Sequence, residues 1–222
     1  EGFRMVLSPI DDDTDLISDG IDNCIGTANP DQQNSDSIIV LAGKPFNDST
    51  APNSDSQGDA CDPDDDNDGL SDVEETSGGG CGGVPTDPLF GDSDGDNFLD
   101  GAECAVGTNP TSVVSRPPLA MCGAAGDVDG DGVLDSREFC FYNTDPGSKN
   151  TDGDACSDAK EIASVDASPA VNVIDLMVVA SEAGPYSLPG NAVKRDVDVT
   201  KNGSIDVIDL MFVARQAGAC GD

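Results

Sequence analysis

The sequence predicts a mostly irregular fold of tandem acidic loops organised by bound cations. Short α-helices follow the loops, a small all-α loop–helix pair ends the chain, and there is little β structure. Three observations predict it. Acidic residues recur at a fixed spacing through most of the length. Large apolar anchors are scarce, with 4% aromatics and no Trp, which argues against an ordinary core. Eight Cys are scattered along the chain, an even number that suits disulfides made in an oxidising compartment. The 44 Asp and Glu against 10 Lys and Arg leave a net charge of -34. Repulsion of that size opposes a compact state unless cations neutralise it. Composition alone reads as disorder, but the strict spacing and the cysteines point instead to a fold that needs metal.

The spacing is that of the EF-hand-like loop D-x-D-x-D-G-x-x-D-x-x-E. Positions 1, 3, 5, 9 and 12 supply oxygens to one cation, position 7 adds a carbonyl, and Gly at position 6 makes the sharp turn. Loop 1 is Asp11, Asp13, Asp15, Asp19 and Asp22, with Leu16 in place of the Gly and Asp22 in place of the Glu. Loop 2 is Asp64, Asp66, Asp68, Asp72 and Glu75, and loop 3 is Asp92, Asp94, Asp96, Asp100 and Glu103, with Asn97 at the turn. Loop 4, Asp127, Asp129, Asp131, Asp135 and Glu138, matches at every position. Loop 5 is Asn150, Asp152, Asp154, Asp158 and Glu161, where Ala155 weakens the turn and Asn150 removes a charge. An all-oxygen set rich in carboxylates suits Ca²⁺ better than Mg²⁺, which keeps its waters. Several Ca²⁺ ions are therefore expected, the weak sites with affinities of about 10⁻⁴–10⁻³ M.

A second motif separates the loops, as Thr27-Ala28-Asn29-Pro30, Thr86-Asp87-Pro88, Thr108-Asn109-Pro110 and Thr144-Asp145-Pro146. Asx-Pro ends a short helix and starts a turn. Loop, half-helix and Asx-Pro turn together make a repeat unit.

The last part of the chain is a different duplication. Val171-Asn172-Val173-Ile174-Asp175-Leu176-Met177 recurs as Ile205-Asp206-Val207-Ile208-Asp209-Leu210-Met211, 34 residues later. The second copy carries a full loop at Asp198, Thr200, Asn202, Asp206 and Asp209, with Gly203 at the turn. The first keeps Asp166, Ser168, Asn172 and Asp175 but has Pro169-Ala170 at the turn, and is expected to hold no ion. After each loop, Leu176, Val179, Ala180 and Leu210, Val213, Ala214 fall at helical spacing. This Leu-Met-Val stripe is expected to be helix core rather than a docking face.

These residues carry two family resemblances. Asp11–Asp62, with Asp22-Asn23-Cys24, Asn29-Pro30-Asp31-Gln32 and Gly58-Asp59-Ala60-Cys61-Asp62, resembles a thrombospondin type 3 repeat pair. The resemblance implies a Cys24–Cys61 disulfide and adds Asp31, Asp59 and Asp62 as Ca²⁺ ligands. An insertion over residues 33–53 departs from the pattern, and its Ile38-Ile39-Val40-Leu41 run reads as a short strand. Residues 63–161 look like the bacterial form of the repeat, with its TDP spacer. The duplicated loop–helix of residues 162–222 resembles a type I dockerin, a calcium-dependent module that docks onto cohesins. The apolar pairs Val173-Ile174 and Val207-Ile208 stand where such modules carry polar specificity residues, which implies another partner or burial. Residues 1–10 form a separate N-terminal segment. Its apolar run Phe3–Leu7 reads as a frayed end or as a strand donated to another subunit.

For the remaining cysteines, pairing by neighbours gives Cys81–Cys104, Cys122–Cys140 and Cys156–Cys220. A Cys104–Cys122 bridge with Cys81 elsewhere stays open. The absence of His and of any CxxC pair is against zinc. There is no His, no GxSxG and no phosphate-binding loop, so no enzyme activity is expected. Acidity excludes the basic footprint of a nucleic-acid binder. No apolar run is long enough to span a membrane. A chain opening at Glu1-Gly2-Phe3 reads as a processed, secreted or surface product, of bacterial type by the resemblance.

The leading functional expectation is an extracellular Ca²⁺-rigidified rod or spacer, and in one form the repeating subunit of a head-to-tail filament. The alternatives are an adaptor docking a cohesin-like or cell-surface partner, and the non-catalytic tail of a larger secreted hydrolase. Loops that touch mainly their sequence neighbours are the expected basis of the rod.

Overall fold

A computed structural model describes residues 10–36, 53–122, 125–166, 168, 170–185 and 197–220. The expected N-terminal strand or frayed end over residues 3–7 and the Ile38–Leu41 strand lie outside these residues. Among the described residues, loops 2 to 5 each lead into a short helix that begins at the ninth loop position. These are α1 (Asp72–Ser77), α2 (Asp100–Val106), α4 (Asp135–Arg137) and α5 (Asp158–Ala163). An Asp at the first position of each helix suits the positive end of the helix dipole. The turn α3 (Leu119–Cys122) precedes loop 4, and α4 widens into a π-helical turn over Glu138–Tyr142. Left-handed residues end three of these helices: Gly78 (φ 69°), Gly107 (φ 79°) and Asn143 (φ 49°). Loop 1 leads into turns around Cys24 rather than a helix.

Helices this short do not persist alone in water. Disulfides hold them. Cys81–Cys104 joins the turn after α1 to α2, and Cys122–Cys140 joins α3 to the π-helical turn. Cys24–Cys61 closes the first repeat pair, and Cys156–Cys220 ties loop 5 to the end of the chain. All eight cysteines are paired, three of the bridges as neighbours and Cys24–Cys61 as the resemblance implies. Four disulfides fit an oxidising, extracellular environment. Among the described residues no helix is long and apolar enough to cross a membrane.

The C-terminal duplication forms α6 (Val173–Ser181) and α7 (Val207–Arg215), each opened by a capping box, Asn172 with Asp175 and Asp206 with Asp209. Four two-residue strands lock the halves together. Strand β1 (Ala170–Val171) pairs antiparallel with β4 (Gly218–Ala219), and β2 (Gly184–Pro185) pairs antiparallel with β3 (Ser204–Ile205). The strand before each helix thus pairs with the strand after the other helix.

The stripe on α6 and α7 divides. Val179 and Val213 are fully buried and Leu176 and Leu210 pack against the core. Ala180 and Ala214 are exposed. Val173, Ile174 and Met177, and their counterparts Val207, Ile208 and Met211, are exposed as well. The expectation of one buried stripe holds only for the Leu and Val positions. The outward residues lie on the side of each helix away from the buried Leu and Val.

A single apolar cluster runs across residue 161, the expected boundary between repeats and C-terminal unit. Phe98, Val133, Phe141 and Tyr142 from the repeats join Ile162, Val165, Val179, Val199, Ile205 and Val213. Phe98 and Phe141 meet with ring centroids 4.9 Å apart. Tyr142 Oη donates to the Val199 carbonyl at 3.0 Å, and Gln216 Nε2 donates to the Asp131 carbonyl at 3.2 Å. The loops also reach past their neighbours. Asn143, which ends the π-helical turn after loop 4, donates to the Asn67 carbonyl in loop 2 at 2.8 Å, past loop 3. Repeats stacked only on their sequence neighbours do not describe this fold, because the few large apolar residues are pooled in one core.

Candidate metal centres

Carboxylates wire each of loops 1 to 5. The ninth-position carboxylate accepts the N–H of the second residue: Asp12 to Asp19 at 3.0 Å, Asp65 to Asp72 at 3.0 Å, Ser93 to Asp100 at 3.0 Å, Val128 to Asp135 at 2.8 Å and Thr151 to Asp158 at 2.8 Å. The third-position carboxylates of Asp13, Asp66, Asp94, Asp129 and Asp152 accept the fifth-position N–H at 3.0–3.2 Å. Asp15, Asp68, Asp96, Asp131 and Asp154 at the fifth position accept from Ile17, Leu70, Phe98, Val133 and Cys156. At the first position Asp11, Asp92, Asp127 and Asn150 accept the fourth-position N–H at 2.6–2.8 Å. Short acidic side chains favour this kind of local turn, and a run of such turns gathers the carboxylates at one place.

The second oxygens of these carboxylates decide what the loops can do. Oδ2 of Asp13, Asp66, Asp94 and Asp129 is buried without a hydrogen-bond partner, at the same third position in four loops. At position 12, Glu75 Oε2, Glu138 Oε2 and both oxygens of Glu103 are buried without partners, in side chains with 0% exposure. Asp64 Oδ1, Asp131 Oδ2 and Asp62 Oδ2 are in the same state. A buried, unsatisfied carboxylate oxygen is costly. Its recurrence at fixed loop positions fits a divalent ion with oxygen ligands. Carboxylate oxygens of Asp11, Asp13 and Asp15, of Asp64, Asp66 and Asp68, and of Asp68, Glu75 and Asp100 lie within 4.8 Å of one another. Asp154 and Glu161 also converge, beside a Cys156 sulfur that is held in a disulfide and offers no thiolate.

Burial pushes these carboxyl groups up, to about 10 at Asp66, about 8 at Glu75 and Glu103, about 7 at Asp64, Asp100 and Glu138, and about 6 at Asp68, Asp94 and Asp131. Repulsion from neighbouring carboxylates adds in the same direction at most of them. Asp100 of loop 3 sits against Asp68 and Glu75 of loop 2. Asp158 of loop 5 is fully buried and raised by burial, with repulsion from Asp129 of loop 4 adding to it. Neighbouring loops are therefore coupled in pairs. Loop 3 has one further partner, since Arg116 Nε bonds Asp96 Oδ2 at 2.8 Å.

Other expected ligands are placed differently. Asp31 is exposed. Asp22 Oδ1 accepts from the Cys24 N–H and from Gln32 Nε2, each at 2.9 Å. Asp59 accepts from both the N–H and the hydroxyl of Ser35. Asp127, in the loop with the most complete sequence, is exposed. In the C-terminal loops the chain itself uses the carboxylates. Asp209 accepts the N–H of Thr200 at 3.0 Å on Oδ1 and of Asp206 at 2.8 Å on Oδ2. Asp198 accepts from Asn202 and Gly203, and Asp206 caps α7 through the Ile208 N–H. Asp175 likewise accepts from Asp166 and Asn172.

Sequence reasoning missed the threonines of the spacers. Thr86 Oγ1 donates to Glu75 Oε1 at 3.1 Å and Thr144 Oγ1 to Glu138 Oε1 at 3.2 Å, while Thr108 Oγ1 donates to the Glu103 carbonyl at 3.2 Å. They orient the last loop residue, and their recurrence in every spacer was the available signal. The spacer Asx side chains take turn N–H groups instead, as Asp87 does from Leu89 and Asp145 from Gly147. Asp36 and Asp55, absent from the expected set, converge with Asp62. No family model, no curated protein and no solved structure matches this chain.

Proposed function

We propose that this chain is an extracellular, non-enzymatic, Ca²⁺-binding structural protein, a spacer that calcium stiffens. The observation that carries the reading is the set of buried, partnerless carboxylate oxygens at positions 3 and 12 of successive loops. With a net charge of -34, neutralisation by several cations converts mutual repulsion into cross-links between loops. Loops 2 to 4, each with such oxygens at both positions, are the main sites. The C-terminal loops contribute mainly fold, because their carboxylates already serve the backbone. Small-angle scattering and limited proteolysis, each with calcium and with excess EGTA, test this. Calcium should compact the chain and slow its cleavage; equal size and resistance in both conditions would sink the reading.

A second reading is favoured by one observation, the matched exposed residues Val173, Ile174, Met177 and Val207, Ile208, Met211. In it the C-terminal unit is a docking module for a cohesin-like or cell-surface protein, or for another copy in a filament, and the repeats are its tether. Val173→Asp with Val207→Asp should abolish calcium-dependent capture by a cohesin panel or calcium-dependent fibres in electron micrographs. A wild-type chain that neither is captured nor polymerises would count against it.

A further inference from the structure

We propose that a cavity between the repeats and the C-terminal unit binds a small aromatic carboxylic acid, its carboxylate held by arginine and its ring by phenylalanine. The cavity has a volume of about 440 Å³, within the size range of sites that take small organic molecules. Its walls come from loop 3, the chain around α3, α4 with its π-helical turn, and the last C-terminal loop. Only the tertiary fold brings these segments together.

The lining reverses the charge of the molecule. Arg116, Arg137 and Lys201 share it with one carboxylate, Asp96, in a chain with 44 acidic and 10 basic residues. Asp96 leaves these cations largely unspent. Its Oδ1 accepts the Phe98 N–H at 3.1 Å, and its Oδ2 accepts from Arg116 Nε at 2.8 Å. That contact engages one edge of the Arg116 guanidinium. Its Nη1 and Nη2 have no hydrogen-bond partner among the described residues, and the side chain is 43% exposed. The Arg137 guanidinium makes no hydrogen bond or ion pair among the described residues, although carboxylates outnumber basic groups more than four to one. Lys201 adds a third charge, its Nζ 5.5 Å from the centroid of the Tyr142 ring.

Two guanidinium forks open on one cavity suit a planar carboxylate, which accepts paired N–H groups. The rest of the lining selects what carries it. Phe98, Pro117, Cys122 and Phe141 are buried and form an apolar floor. The two phenylalanine rings lie 4.9 Å apart at a tilt of 34°, an arrangement that a third ring extends by edge or offset contact. An anion without an apolar body would leave this floor uncovered, and a neutral ring would leave the arginines unpaired.

Titration calorimetry of the full chain with naphthalene-2-carboxylate, in calcium-containing buffer, tests the proposal. Acetate and the neutral naphthalene-2-carboxamide are the comparison ligands. The carboxylate should bind once per chain, and the amide and acetate should each bind about tenfold more weakly or worse. Arg137→Gln should weaken the carboxylate by about tenfold or more, the loss expected for a charge-assisted hydrogen bond. Absence of carboxylate binding, equal binding of the amide, or unchanged binding in Arg137→Gln overturns the site. Capture by bound calcium instead of the cavity would show as equal binding of acetate, which overturns it too. Peptide mapping of the four disulfides verifies that the variant has folded. If it has not, the comparison of acid, amide and acetate on the wild-type chain decides the matter.

Discussion

Leu16 stands at φ 84°, a backbone conformation that a branched L-residue resists. The sixth loop position demands it, since Gly69, Asn97, Gly132 and Gly203 adopt φ of 95°, 86°, 106° and 87°. Ala155 does not, and loop 5 instead bonds Asn150 Nδ2 to the Asp154 carbonyl at 3.1 Å. Leu16 is also 91% exposed, so its side chain returns little packing for the strain. Leu16→Gly is expected to stabilise the protein by about 1 kcal/mol, from relief of a left-handed residue. In a chain of this size that is a rise in melting temperature of about 2–4 °C. A calorimetric scan showing no change or a fall would mean the turn is not strained. At this scale the sequence was readable, because the departure from Gly at position 6 was visible before any coordinates.

The elements are too short to stand alone, so their contacts decide their stability. Helix α2 shows this best. Its second residue, Gly101, donates its N–H to Asp68 Oδ2 at 2.9 Å, and a Cβ there would collide with the Asp68 carbonyl oxygen. Gly101→Ala is therefore expected to push α2 away from loop 2 and destabilise the fold by about 1–3 kcal/mol. The same displacement should weaken calcium binding, because Asp100 stands against Asp68 and Glu75. Calcium titration of the variant by calorimetry should show the loss at the loop 2 site, with loop 4 unaffected; a uniform loss would argue for general unfolding. Short helices after the loops were legible in the sequence, but the docking of α2 on loop 2 was not. That contact joins residues 33 apart, and no local pattern encodes it.

For the molecule as a whole, protons and calcium compete for the same oxygens. Burial raises Asp66 to about 10, Asp36, Glu75 and Glu103 to about 8, and Asp64, Asp65, Asp100 and Glu138 to about 7. Their values in the unfolded chain are near 4. The cation-free folded state therefore binds more protons than the unfolded state between about pH 4 and about pH 8, and its stability falls with rising pH across that window. Stabilisation is complete below the unfolded values and is lost as pH rises through the folded ones. Calcium binding requires the deprotonated groups, so stabilisation by calcium should grow over the same window and binding near neutral pH should release protons. Melting curves of calcium-stripped and calcium-saturated protein from about pH 5 to about pH 8 check the sign. Calorimetry in two buffers of different ionisation enthalpy measures the protons released. A calcium-stripped protein that melts higher as pH rises would refute the account.

The sequence by itself determined what repeats locally. The 1-3-5-9-12 spacing sets the loop turns, because an Asp side chain reaches N–H groups only a few residues away. It put short helices after the loops and, by pairing neighbours in the chain, offered three of the four bridges with Cys104–Cys122 as the open alternative. Tertiary structure decided what depends on distant residues meeting. It pooled Phe98, Phe141, Val179 and Val213 into one core across residue 161, since so few large apolar residues cannot supply two. It left Val173 and Val207 facing outward, and it committed the Asp209 carboxylate to backbone N–H groups. It also joined Asp36 to Asp55 and Asp62, a meeting hidden in the linear pattern because a long stretch of chain separates Asp36 from the other two.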